Sequence, residues 1–322
     1  MPDAPDPSPP ALPTKSFLVQ RFAKLHFGQF SIIGFSVAGE ETVVQVPEYG
    51  ICFDIGRCPH FALTSEVVCI SHGHMDHVAA LGYYASQRVF QGMSPGKILV
   101  PRELHRPVER MMMAFRDIER QNTPFELIPI EAGEDYPVRR DLLLRAIATH
   151  HGGGSLGYSI VNVREKLKPE YHGTPGPELA RLRDQGVSIQ YRLEVPLVTY
   201  LGDTSLEPGP RETGVQPVFT HPDVINAQVL LTECTFFDAD HRAKAKHGKH
   251  LHAEQLASVL PNLKCRHLVL LHVSRRIGLR KARHTLRKLI GADAMQRVHF
   301  LMDFEGSRDE GDVENTAPGT PI

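Results

Sequence analysis

His72, His74, Asp76 and His77 fall within six positions of the stretch VCISHGHMDHVAAL. Three imidazoles and a carboxylate that close together offer nitrogen and oxygen donors suited to zinc or a similar divalent cation. An apolar run, EVVCI, precedes them and a helical pattern follows. The donors therefore sit in a strand-to-helix loop, where side chains from alternate positions can converge on one point.

Further donors end other apolar runs. AIATHH closes with His150 and His151, VTYLGD with Asp203, and LVLLHVS holds His272. Polar residues at strand ends are where active-site groups gather in layered α/β folds. A hydrolytic metal site needs such ligands, a place for water, and a proton donor for the leaving oxygen. GKHLHAEQLASVL supplies two candidates for the donor, His250 and His252.

Positioning these groups falls to a chain in which short β-branched runs alternate with longer helical ones. SIIGFSV, TVVQV, GICFDI, EVVCI, KILV, FELIPI, LLLRAIAT, LGYSIVNV, PLVTYLGD, AQVLLTE and CRHLVLLHV read as strands. DHVAALGYYASQRVF, PRELHRPVERMMMAFRDIER, LHAEQLASVL and the basic GLRKARHTLRKLI read as helices. The pattern predicts stacked layers, two sheets inside and helices outside. Residues 163–189, rich in alternating charge and Pro-Gly turns, are too polar for a core and read as a protruding arm.

With 322 residues, 41% hydrophobic and 23% charged, the chain is long enough for a sizeable core. A net charge of −1 excludes a global attraction for polyanions. Local clustering is another matter: nine Lys or Arg and no acidic residue lie between Lys264 and Ile290, and Arg242, Lys244, Lys246 and Lys249 flank His250. That clustering is an electrostatic footprint for a phosphate backbone. Five scattered cysteines without a CxxC pair argue against a disulfide framework and for a reducing, cytoplasmic setting. No apolar run approaches membrane-spanning length. Residues 1–16 and 305–322 read as disordered tails around one domain at 17–304.

Taken together, HGHMDH, a downstream His, the Asp of LGD and the His of LLHVS resemble the metallo-β-lactamase superfamily. FDIGRCPHFA, HHGGGSLGY, REKLKPEY, GDTS, TECTFFDAD, HLHAEQ and HVSRRI resemble ribonuclease Z more specifically, in its short plant-type form. The resemblance implies a four-layer αββα sandwich with a short arm and a centre of two Zn²⁺, with Mn²⁺ as the alternative metal. His72, His74 and His151 would hold one ion, Asp76, His77 and His272 the other, with Asp203 bridging. Asp76 would also serve catalysis with His250 and Glu233, and Asp54 would support the metal loop without binding metal. Ser274, Arg276 and Lys249 would contact phosphate. Thr232 and Ile277 stand where many members carry His and Tyr.

The implied reaction is hydrolysis of precursor tRNA just 3′ of the discriminator nucleotide, by a homodimer. Two rivals remain at this stage: a small-molecule phosphodiesterase of the same fold, and a silent RNA-binding scaffold. Seven intact ligand positions speak against the scaffold.

Overall fold

The computed structural model describes residues 22–152, 154–209 and 216–302. Both proposed tails, 1–16 and 305–322, lie outside the described residues. Two seven-stranded sheets form the centre. The first runs β1 (Ala23–Phe27), β2 (Phe30–Val37), β3 (Glu41–Val46), β4 (Ile51–Ile55), β5 (Val67–Cys69), β6 (Lys97–Pro101) and β7 (Glu126–Ile130) in spatial order. The second comprises β8 (Asp135–Arg139), β9 (Leu142–Ala148), β10 (Leu156–Leu167), β11 (Gln190–Tyr200), β12 (Val229–Glu233), β13 (His267–Leu271) and β14 (Val298–Phe300). Helices are α1 (His60–Leu63), α2 (Met75–Val78), α3 (Leu81–Phe90), α4 (His105–Glu119), α5 (Gly176–Asp184), α6 (Pro222–Asn226), α7 (Arg242–Gly248), α8 (Ala253–Val259) and α9 (Leu279–Met295).

Period-two alternation explains the layering. In β5, Val67 and Cys69 face the core between the sheets, while Val68 joins Leu81, Tyr84 and Val108 under α3 and α4. In β12, Val229 and Leu231 face the same inner core, and Leu230 packs with Leu256 of α8 and Leu286 of α9. Strands buried on both faces need no polar side, which is why they read as continuous apolar runs. The result is a four-layer αββα sandwich.

Three strands escape the sequence pattern, β1, β8 and β14. Each is the outermost strand at one end of its sheet. Edge strands tolerate charge and proline, so DYPVR, with Pro137 inside it, carries no strand signature. The span DHVAALGYYASQRVF divides into α2 and α3 at Ala79 and Ala80. The arm is more regular than its composition suggests: β10 and β11 stay paired out to Leu167 and Gln190, and α5 lies beyond them.

Strands β4 to β7 are parallel, as are β11 to β14. Their carboxyl ends place the loops bearing Asp54, His72 to His77, Asp203, Glu233 and His272 along one edge of the sandwich. Ties between the sheets fix that edge. Val37 and Val273 form a bridge, Leu156 N–H donates to the Ser71 carbonyl, and Tyr158 OH donates to that of Ile70.

Candidate active site

The loop after β5 is held by Asp54, which closes β4. Its Oδ1 accepts the Ser71 N–H at 2.7 Å. Its Oδ2 accepts from Ser71 Oγ at 2.6 Å, His77 Nδ1 at 2.7 Å and Tyr200 OH at 2.5 Å. Asp54 keeps a left-handed φ of 53°, and His272 one of 55°. Non-glycine residues held there are strained, a cost the surrounding bonds must offset. Two glycines permit the close approach of the loops: a Cβ at Gly56 would lie 1.8 Å from the Asp76 carbonyl oxygen, and one at Gly202 would lie 2.7 Å from Ser71 Cβ.

Around this frame the structure gathers seven side chains from four segments. Donor atoms of His72, His74, His151 and Asp203 lie within 4.8 Å of one another, as do those of Asp76, His77 and His272. Asp203 Oδ2 is central, at 3.8 Å from His72 Nε2, 3.7 Å from His151 Nε2, 3.5 Å from His77 Nε2 and 3.4 Å from His272 Nε2. Asp76 Oδ2 lies 3.4 Å from His272 Nε2 and accepts the Gly39 N–H at 3.0 Å.

The tautomers follow from what each ring meets on its far side. His77 Nδ1 faces a carboxylate and His151 Nδ1 a carbonyl, that of Lys249 at 3.0 Å, so both nitrogens must carry the hydrogen. Ser71 Oγ gives its hydrogen to Asp54 and accepts from His72 Nδ1 at 3.0 Å. Thr235 Oγ1 gives its hydrogen to Glu233 Oε2 at 2.5 Å and accepts from His272 Nδ1 at 3.1 Å. Four imidazoles thus turn a bare Nε2 inward. This arrangement, with the outer N–H anchored, orients histidine for metal.

Those inward lone pairs fit a divalent cation. His77 Nε2 is buried without a hydrogen-bond partner. His74 Nδ1 stands 3.0 Å from His72 Nε2 and 3.2 Å from His151 Nε2. For metal–nitrogen bonds of 2.0–2.1 Å, a tetrahedral edge measures about 3.3 Å. Burial holds His72 neutral, its pKa lowered to about 2. Burial would raise the Asp203 carboxyl, but the surrounding imidazoles, His272 foremost, bring it well below the usual range. Burial opposes charge on His77 too, yet the Asp203 and Asp54 carboxylates raise it well above its ordinary value. The pocket calls for positive charge.

Beside this cluster, Glu233 is fully buried and saturated. Its Oε1 accepts from Thr204 N–H at 2.8 Å and His250 Nδ1 at 2.9 Å, and its Oε2 from Thr235 Oγ1 and from Leu251 N–H at 3.1 Å. Burial alone would lower the His250 pKa, but the Glu233 carboxylate outweighs it and raises the pKa to about 9. The imidazole therefore holds its proton near neutrality, and its Nε2 is the nitrogen left to act.

Two neighbouring histidines are committed elsewhere. His252 is the N-cap of α8, where Nδ1 accepts the Glu254 N–H at 3.3 Å and Nε2 donates to the Asp238 carbonyl at 3.0 Å. His150 Nε2 donates to the Gln216 carbonyl at 3.1 Å, away from the cluster. Ser274 and Arg276 follow His272 on one loop, Ser274 half-buried and Arg276 exposed, with the Arg276 N–H on Ser274 Oγ at 3.3 Å. Ile277 is buried with α9, a core position.

The basic footprint needs correction. Acidic residues distant in sequence neutralise part of it: Arg275 pairs with Glu40, Lys281 with Asp238 at 2.8 Å, and Arg242 with Glu254. Sequence reasoning also passed over Ser71 and Thr235, whose hydroxyls hold the His72 and His272 rings, and Tyr200 and Thr204, which bond the Asp54 and Glu233 carboxylates. The available signal was adjacency, since each lies within two positions of, or three before, a singled-out residue.

Sandwich and histidine cluster together define a member of the β-lactamase superfamily, and a family model described as a β-lactamase superfamily domain matches residues 62–273. Among solved structures, the metallo-β-lactamase fold protein YhfI from Bacillus subtilis aligns over 87% of this chain and 94% of its own, with a TM-score of 0.55 at 16% identity. That likeness shows the fold alone. The tRNase Z TRZ2, chloroplastic, of Arabidopsis thaliana is 34% identical over 81% of this chain and 72% of its own. The tRNase Z TRZ1 of the same plant is 32% identical over 78% and 88%. The chain belongs to the tRNase Z family. The five cysteines are free, and among the described residues no helix is long and apolar enough to cross a membrane.

Proposed function

We propose that this protein is a metal-dependent endoribonuclease that cuts precursor tRNA on the 3′ side of the discriminator nucleotide. The observation that carries the chemistry is the set of four histidines whose outward N–H groups are anchored and whose Nε2 atoms converge on Asp203. Family membership carries the substrate.

In this reading His72, His74 and His151 hold one divalent ion, Asp76, His77 and His272 a second, and Asp203 both. Zinc suits the donor set best, with manganese as the alternative. When bound, such a pair supplies an activated water and Lewis-acid stabilisation of charge at phosphorus. The chain's own residues do the rest. Glu233 orients His250 and keeps it protonated, and His250 gives its Nε2 proton to the departing 3′-oxygen, a role worth about 10² to 10⁴ in rate. The tRNA leaves with a 3′-hydroxyl and the trailer with a 5′-phosphate. Asp76, half-buried among these ligands, would also help to orient the water.

Ser274, Arg276 and Lys249 would hold backbone phosphates, and the β10–β11 arm would reach the body of the tRNA. A homodimer, in which one arm serves the other site, extends the same reading. Free cysteines fit a reducing compartment, the cytoplasm or an organelle interior. The experiment is cleavage of end-labelled precursor tRNA by protein of measured metal content, with and without chelator. A cut at the discriminator that chelation abolishes supports the proposal, and intact RNA under both conditions refutes it.

A further inference from the structure

A second hollow of about 480 Å³ opens directly beside His250, a volume within the range of small-ligand pockets. Its walls come from α7, from the residues that follow it, and from the segment after Asp203. They include Leu206, Pro208, Lys246, Lys249, His250 and Gln255.

Chemistry decides which side of the scissile bond lies there. As water adds to phosphorus, the bond from phosphorus to the 3′-oxygen breaks. That oxygen leaves with the electron pair and takes the proton from His250 Nε2, while the phosphoryl group stays with the trailer. A general acid must stand within hydrogen-bond reach of the oxygen it protonates. The nucleoside bearing that oxygen must therefore lie on the His250 side, where the hollow is.

The lining suits such an occupant. Leu206 and Pro208 offer apolar surface to a sugar and base. Arg242, on the same wall, is spent on Glu254 through hydrogen bonds at 2.6 and 2.5 Å. Lys246, exposed on α7, has no ion pair among the described residues and supplies a cation for a phosphate. Lys249 fixes the hollow to the metal ligands. Its backbone takes a left-handed φ of 55°, which ends α7 and turns its carbonyl onto His151 Nδ1 at 3.0 Å.

We infer that this hollow is the subsite for the nucleotide on the leaving-oxygen side, the 3′-terminal nucleotide of the mature tRNA, with Lys246 on its 5′-phosphate. The inference rests on the endoribonuclease reading and adds where the substrate's last retained nucleotide lies.

Lys246→Ala removes the cation and Leu206→Trp fills the hollow. Steady-state kinetics on precursor tRNAs carrying either a one-nucleotide or a longer trailer test both, with metal content per chain as the folding control. Each variant should retain its metal and raise KM, Lys246→Ala by about tenfold, the equivalent of one phosphate contact. The rise should be the same for both trailers, because a one-nucleotide trailer has no phosphate beyond the scissile one. Wild-type cleavage with unchanged KM in both variants overturns this inference alone. So does a rise that disappears with the short trailer, which would put the trailer in the hollow. A wild type that cuts neither RNA overturns the endoribonuclease reading itself, and this subsite with it.

Discussion

His250 Nδ1 lies 2.9 Å from Oε1 of Glu233, a carboxylate with no solvent exposure. The pairing fixes the ring, raises its pKa and leaves Nε2 as the only nitrogen able to pass a proton onward. His252, two residues away, has both nitrogens engaged in capping α8. Substitution separates the two. His250→Ala should keep its metal and lower kcat by about 10² to 10⁴. His252→Ala should retain most of its kcat and lose about 0.5–2 kcal/mol of stability with the cap, read from chemical denaturation. The reverse pattern would transfer the acid role to His252.

Asp54 accepts four hydrogen bonds, and through Ser71 and His77 it orients ligands of both proposed ions. Asp54→Asn would present a donor to a site where only donors arrive. Metal affinity should fall by about 10- to 100-fold, the usual cost of losing a group that orients ligands. Calorimetric titration of the metal-free protein measures it. An affinity equal to the wild type would show that the loop holds its shape without the carboxylate.

Thr235 stands between Glu233 and His272, donating to one and accepting from the other. Thr235→Ser keeps the hydroxyl and should preserve metal stoichiometry. Thr235→Val leaves a buried N–H and a buried carboxylate oxygen each short of a partner, at about 1–3 kcal/mol apiece. It should weaken the ion held by Asp76, His77 and His272 first. Equal metal content in the two variants would count against the relay.

RNA cleavage should also depend on salt in a way that small-substrate hydrolysis does not. Each phosphate neutralised by Lys or Arg contributes roughly 0.7 to 0.9 to the slope of log affinity against log salt. The kcat/KM for precursor tRNA should fall steeply between low and physiological salt, and that for bis-p-nitrophenyl phosphate should stay nearly flat. Matching slopes would favour a small-molecule phosphodiesterase.

Much of the sandwich was legible in the sequence because most inner strands are buried on both faces and carry an unbroken apolar signal, as in EVVCI and AQVLLTE. Strands β1, β8 and β14 were not, because a sheet edge does not demand that pattern. The donors in HGHMDH are local and could be read directly. His151, Asp203 and His272 emerged only as strand-end residues, and choosing His151 over His150 rested on family resemblance. The structure supplies a physical reason, since the His150 ring bonds to Gln216 on the far side. Least legible were Tyr200 and Thr235, hydroxyls whose partners are set by strand register and by contact between the sheets. The basic run from Lys264 to Ile290 was legible as charge but not as free charge, because Glu40 and Asp238 reach it only after folding.

The central claim is that this metal centre cuts RNA at one defined bond. Its most direct test is to map the products of 3′-labelled and 5′-labelled precursor tRNA after incubation with protein shown to hold two divalent ions per chain. The account predicts a single cut after the discriminator nucleotide, leaving a 3′-hydroxyl and a 5′-phosphate, lost on chelation and restored by zinc or manganese. Uncut RNA, or cleavage indifferent to chelator, from protein carrying both ions would contradict it.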